Sequence, residues 1–153
     1  MVAGVTALVV MPCSATKSAA AGELPAVDRY DGPMWRTLRA AVREARQPVD
    51  VWFLSARFGF HPATLGIPDY DQVMTASRAA ELLTLPTSNR HAFAAAVQAA
   101  GDVLFVGGRL YRDTMRRASV DAPGGFRFVD ETTGLGIGYQ RAELRAWLQR
   151  VAS

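Results

Sequence analysis

Three short, near-continuous apolar runs, residues 5–10, 51–54 and 103–106, constrain this chain more than any other feature. A strand with one wet face alternates apolar and polar residues. A run of valine, leucine and phenylalanine without alternation is the pattern of a strand covered on both faces. Helical patterns lie between the runs. Met34, Leu38, Val42 and Ala45 recur at helical spacing, so residues 33–45 read as a helix opened by Pro33 and ended by Pro48. Residues 75–83 predict another, and a third, alanine-rich, is capped by Thr87 or Ser88, runs to about Ala100 and stops at Gly101. An arginine-rich helix is expected over 109–118. A last helix carries the stripe Leu144, Trp147, Leu148 and Val151. Residues 126–129 read as a fourth strand. Strands alternating with helices predict an α/β fold: a single three-layer domain over residues 1–153, with a mostly parallel sheet of about four strands flanked by helices. At 153 residues the chain is long enough for one real core.

The totals exclude several classes. One cysteine, Cys13, rules out an internal disulfide framework and a cysteine-rich zinc site. Two histidines, His61 and His91, do not make a metal centre, and no metal or cofactor is expected. Apolar residues 2–11 end near a cysteine, as in a lipoprotein leader. No cation precedes them, however, and the run is too short to span a bilayer. A buried strand explains them better, so the expectation is a cytoplasmic chain with no membrane partner. The net charge of +3 does not mark a polyanion binder. The charge is uneven, though: Arg109, Arg112, Arg116 and Arg117 stand against Asp113 alone. That run reads either as a solvated helix face or as a surface for phosphates.

Of seventeen basic residues only Lys17 is a lysine. Arginine stays charged and forks; lysine is a compact point charge that can lose its proton. Lys17 and Cys13 share the run Pro12-Cys13-Ser14-Ala15-Thr16-Lys17 directly after the first strand. Backbone amides in such a turn form an anion-binding nest, with Lys17 as counter-charge and the Ser14 and Thr16 hydroxyls as donors. The glycines of a phosphate-binding P-loop are missing. Cys13 reads as a nucleophile if a cation lowers its pKa, or as a small filler at the strand end. The loop 12–31 is long, which in a compact domain points to function. Tyr30-Asp31-Gly32 closes it, with Tyr30 either stacking on a base or packing beneath the loop.

Two further segments follow strands directly: Ser55-Ala56-Arg57-Phe58-Gly59 and Gly107-Gly108. Ser55 is small enough for a ligand to approach, Arg57 suits a phosphate, and the glycine pair suits a phosphate at a helix start. In open α/β sheets ligands bind beyond the carboxyl ends of the strands, so these segments are expected to form one site. Pro68-Asp69-Tyr70-Asp71 adds two carboxylates and a tyrosine. Asp71 is the candidate general acid or base, or else the cap of the following helix.

The ordered motifs Pro-Cys-Ser-x-x-Lys at 12–17, Tyr30-x-Gly32, Leu54-Ser55-Ala56-x-Phe58-Gly59, Ile67-Pro68-x-Tyr70-Asp71 and Gly-Leu-Gly-Ile-Gly at 134–138 cover most of the chain. The set resembles a family of small bacterial and phage domains of unknown function, itself similar to the YaaA peroxide-stress proteins. Phe60 and Arg29 stand where that family commonly has leucine. The Pro-Cys-Ser-x-x-Lys loop is also similar to one in archaeosine synthases, which modify a base in tRNA. The YaaA proteins bind DNA with a fold likened to DNA glycosylases, but they carry elements missing from this shorter chain, which has no recognisable helix-hairpin-helix. The resemblance implies a nucleotide or nucleic-acid partner and an enzyme acting on a nucleobase or its N-glycosidic bond. Cys13, Lys17 and Asp71 would be catalytic. Ser14, Thr16, Tyr30, Gly32, Ser55, Arg57, Tyr70, Gly107 and Gly108 would line the substrate. The alternative is a non-catalytic nucleic-acid-binding or stress-response module that uses helix 109–118.

Overall fold

A computed structural model of the chain describes residues 6–120 and 128–153. In chain order these form β1 (Ala7–Pro12), β2 (Leu24–Pro25), α1 (Ala26–Arg29), α2 (Pro33–Glu44), β3 (Val49–Ser55), β4 (Gly59–Pro62) and β5 (Gly66–Ile67). There follow α3 (Ala76–Leu82), α4 (Arg90–Ala99), β6 (Asp102–Phe105), α5 (Arg109–Ser119), β7 (Asp130–Glu131) and α6 (Ile137–Ala152). The main sheet has the order β4-β3-β1-β6-β7, and only the β3–β4 pair is antiparallel. β2 and β5 form a separate two-stranded antiparallel ribbon.

The apolar runs become the centre of the sheet because each has two faces to bury. In β1, Ala7, Val9 and Met11 point to one side and Leu8 and Val10 to the other, and all five are buried. Each fully buried valine, leucine or methionine contributes about 1.5–3 kcal/mol. One side is covered by α2 (Met34, Trp35, Leu38) and α6 (Leu144, Trp147, Leu148). The other is covered by α3 (Ala79, Leu82), α4 (Phe93, Val97) and α5 (Met115, Ala118). This is the expected three-layer α/β arrangement, with a mostly parallel sheet between helices.

The differences from expectation lie at the sheet margins. The main sheet has five strands rather than about four. The segment after Ser55 turns back as β4, a strand beyond those expected. Gly59 makes that turn at φ +82°, where a Cβ would come within 2.4 Å of the Ser88 carbonyl oxygen. Pro62 is tolerated because β4 is an edge strand. The fourth strand expected at 126–129 is not where the apolar residues are. Residues 126 and 127 lie outside the described residues, Phe128 and Val129 carry no strand, and pairing with β6 occurs at Asp130 and Glu131. Thr87 and Ser88 fall in a 3₁₀ turn (Pro86–Ser88), and α4 starts only after Asn89. Among the described residues, no helix is long and apolar enough to cross a membrane.

Candidate functional site

β1 and β6 are adjacent and parallel, but the chain leaves them toward opposite faces. After β1 it passes to α2; after β6 it passes to α5. Such a switch point opens a crevice beyond the strand ends. Its floor is tight: a Cβ on Gly107, at φ +124°, would lie 3.1 Å from the Pro12 ring. Cys13 sits at this point, its N–H donating to the Leu54 carbonyl at 3.0 Å and its sulfur 2.9 Å from the Tyr111 hydroxyl.

The long loop after Cys13 folds back on itself. Lys17 pairs with Tyr30 in an antiparallel bridge, flanked by the Asp31 N–H to Thr16 carbonyl bond at 2.9 Å and the Ser18 N–H to Arg29 carbonyl bond at 2.8 Å. Arg29 holds the inside of this loop. It is fully buried, and its guanidinium donates to the carbonyls of Ser18 (2.7 Å), Ala20 (2.8 Å), Gly22 and Ile67 (3.3 Å). Gly32 closes the loop against Ser14, where a Cβ would come within 2.4 Å of the Ser14 hydroxyl. Asp31 faces outward to Arg36 and Arg39. Their hydrogen bonds, Arg36 first, hold its carboxyl below the usual range.

Three phenols, a serine and the thiol meet beneath this loop. The Tyr30 and Tyr70 hydroxyls are hydrogen-bonded to each other, and the Ser55 hydroxyl lies 2.7 Å from that of Tyr70. Ser55 Oγ also accepts the N–H groups of Arg57 (3.1 Å) and Phe58 (3.2 Å), which ties the end of β3 to the cluster. Tyr30 is wedged by Trp35 and Phe53, with ring centroids 5.1 and 5.6 Å away. Trp35 in turn donates to the Pro12 carbonyl at 2.8 Å.

Burial pushes all three phenols up and keeps them protonated. Tyr70 is pushed up to about 12, burial first and the nearby Cys13 second, with the Ser55 and Tyr30 hydrogen bonds acting the other way. Tyr30 and Tyr111 rise further, again chiefly by burial. Two cations lie over the same aromatic surface. Lys17 Nζ is 4.6 Å from the Tyr70 ring centroid and the Arg57 guanidinium is 5.5 Å from that of Phe58. Those two rings meet edge to face at 5.1 Å. Neither cation has a carboxylate partner among the described residues. The result is a hydroxyl and thiol cluster at the sheet's carboxyl edge, buried at Tyr30, Ser55 and Tyr70 and half-buried at Cys13 and Tyr111, with two cations beside it.

Most residues expected from the sequence gather here: Cys13, Ser14, Lys17, Tyr30, Gly32, Ser55, Arg57, Tyr70 and Gly107. Thr16 contributes its backbone carbonyl, and its side chain is exposed. Gly108 is exposed and caps α5. Asp71 follows Tyr70 at the rim, exposed and without a hydrogen bond into the cluster among the described residues. It does not cap the next helix: Thr75 does, accepting from the Arg78 N–H at 3.1 Å. His61 is held in place, its ring bonded to the Phe58 carbonyl (2.7 Å) and near Asn89 (3.4 Å). Among the described residues no cluster of histidine, cysteine and carboxylates could hold a metal ion.

Two members of the site escaped the sequence reading. Tyr111 heads the buried stripe of α5, ahead of Met115 and Ala118, which places it at the sheet's carboxyl edge; a tyrosine at the start of that stripe was the available signal. Arg29 looked only like a substitution for leucine. The arginine-rich helix also differs from a free phosphate surface. Arg112 and Arg116 are paired with Glu131 at 3.3 and 2.8 Å, and Arg116 also with Asp113 at 2.9 Å.

No family model, no curated protein and no solved structure matches the chain.

Proposed function

We propose that the chain is an enzyme acting on a nucleobase or its N-glycosidic bond, in a nucleotide or nucleic acid, by hydrolysis or base transfer. The observation that carries this reading is the convergence of Cys13, Ser55, Tyr30, Tyr70 and Tyr111 at the β1/β6 switch point, under Lys17. Protonated phenols, a thiol and two cations suit a ligand rich in acceptors and negatively charged. The exposed Arg57 and the half-buried Phe58 beside it suit one that is also flat. A nucleotide has all three properties. Perturbed titrating groups gathered at a sheet's ligand-binding edge favour catalysis over passive binding. The resemblance of the Pro12–Lys17 loop and the later motifs to base-modifying and YaaA-like proteins implies the same substrate class.

In this reading Lys17 and Arg57 take a phosphate, and Cys13 and Ser14 hold the anionic edge of the ligand. Tyr30 supports Tyr70 from below. Asp71, exposed at the rim, draws a proton from water or stabilises an oxocarbenium-like sugar. The alternative, a binding module that lays α5 on phosphates, is disfavoured by the carboxylates already occupying Arg112 and Arg116. The test is incubation with nucleoside monophosphates and with DNA and RNA carrying modified bases, followed by chromatography for free base. Failure to release base from every substrate, or full activity in Lys17→Arg, sinks the reading.

A further inference from the structure

We propose that Tyr70 is the proton donor to the departing base, and that Ser55 and Tyr30 are positioning residues that leave its hydroxyl proton one direction to take. This assignment rests on the nucleobase reading above and gives Tyr70 a role that sequence motifs alone did not suggest.

Counting protons carries it. A serine hydroxyl has two lone pairs and one proton. Both lone pairs of Ser55 are filled by the Arg57 and Phe58 N–H groups, at 3.1 and 3.2 Å. Its own proton therefore goes to the Tyr70 oxygen, 2.7 Å away. Tyr30 is completely buried, and its hydroxyl is bonded to that of Tyr70. If Tyr70 donated in that bond, the Tyr30 proton would be buried without an acceptor, which native structures avoid. Tyr30 therefore donates. Tyr70 now accepts twice, both lone pairs are used, and its one proton faces away from Ser55 and Tyr30, which leaves Cys13 as the remaining polar side chain acting on it.

The same arrangement stabilises what remains after transfer. The phenolate keeps two hydrogen-bond donors and has Lys17 Nζ 4.6 Å from its ring centroid. These contacts fit the order of the three phenols, in which Tyr70 is raised least. Lysine at position 17 then has a second use beside phosphate recognition.

The step balances as a hydrolysis. The bond from the sugar anomeric carbon to the base nitrogen breaks, and its electron pair leaves with the base. That nitrogen takes the Tyr70 proton. Water adds its oxygen to the anomeric carbon and gives its proton to Asp71, from which solvent carries it back to the phenolate.

The test compares a natural substrate from the base-release assay with 4-nitrophenyl riboside 5′-phosphate, whose leaving group departs without protonation. Tyr70→Phe is expected to lower kcat on the natural substrate by about 100-fold or more. KM should stay within about threefold, and the nitrophenyl substrate should be cleaved at close to the wild-type rate. Ser55→Ala, which removes one donor to the phenolate, gives the same selectivity at smaller amplitude and serves if Tyr70→Phe folds poorly. Equal losses on both substrates in these variants overturn the assignment while leaving the nucleobase reading intact. Wild-type protein that releases no base from any substrate overturns both.

Discussion

Replacing Arg29 with methionine should destabilise the fold by about 3 kcal/mol and disable the site with it. Arg29 is fully buried and donates to four backbone carbonyls, those of Ser18, Ala20, Gly22 and Ile67. A hydrogen bond from a charged group contributes about 1.5–3 kcal/mol, and a buried group left without a partner costs a similar amount. Four independent losses would exceed the stability of most domains. They are not independent here, because only the bond to Ile67 is wholly buried and water can reach the other three acceptors once the guanidinium is gone. Methionine also keeps much of the apolar stem. One full loss plus partial losses gives the figure of about 3 kcal/mol. For a chain of this size that is a fall in Tm of about 6–12 °C. Urea unfolding followed by circular dichroism measures it, and Arg29→Lys should recover about half. A change in Arg29→Met below about 0.5 kcal/mol would refute the claim that this side chain holds the Lys17–Tyr30 loop.

Other consequences are more local. Gly59→Ala forces a side chain onto a φ of +82° and into the Ser88 backbone, so a loss of about 2–3 kcal/mol in urea unfolding is expected. Gly108→Ala, with nothing within 4 Å of the new Cβ, should change stability by less than about 0.5 kcal/mol. Burial lowers the pKa of His61, with the Phe58 carbonyl bond acting weakly the other way. The unfolded chain then binds the proton more readily, so stability present above the unfolded histidine pKa declines as pH falls through about 6.5 and below. Thermal scans from pH 7.5 to 5 should show that slope, reduced in His61→Asn. Because Glu131 already holds Arg112 and Arg116, replacing both arginines with glutamine should leave any salt-dependent DNA affinity unchanged in fluorescence anisotropy. A marked drop would instead favour the binding-module alternative.

The centre of the fold was legible because burial on both faces writes itself into composition. The runs around Val9, Phe53 and Leu104 could be little else. The margins were not legible. β4 contains Gly59, His61 and Pro62, all poor strand signals, and exists because β3 offers it an edge. β7 pairs through Asp130 and Glu131, acids that no propensity would place in a sheet. The strand-end rule placed Cys13, Lys17, Ser55 and Gly107 at one edge, where they lie, since it needs only the order of strands. It could not show Tyr111, which arrives through the pitch of α5. Nor could it separate Tyr70 from Asp71: adjacent residues in an irregular segment differ in burial only once the loop is folded.

The central claim is that these separate motifs form one ligand site. Its most direct measurement is amide NMR of the labelled protein titrated with nucleoside 5′-monophosphates. Saturable shifts are expected at Cys13, Ser14, Lys17, Arg57, Phe58, Tyr70, Gly107 and Tyr111, weakened in Lys17→Ala. Shifts confined to Arg109 and Arg117 on the outer face of α5, or none at millimolar nucleotide, would contradict it.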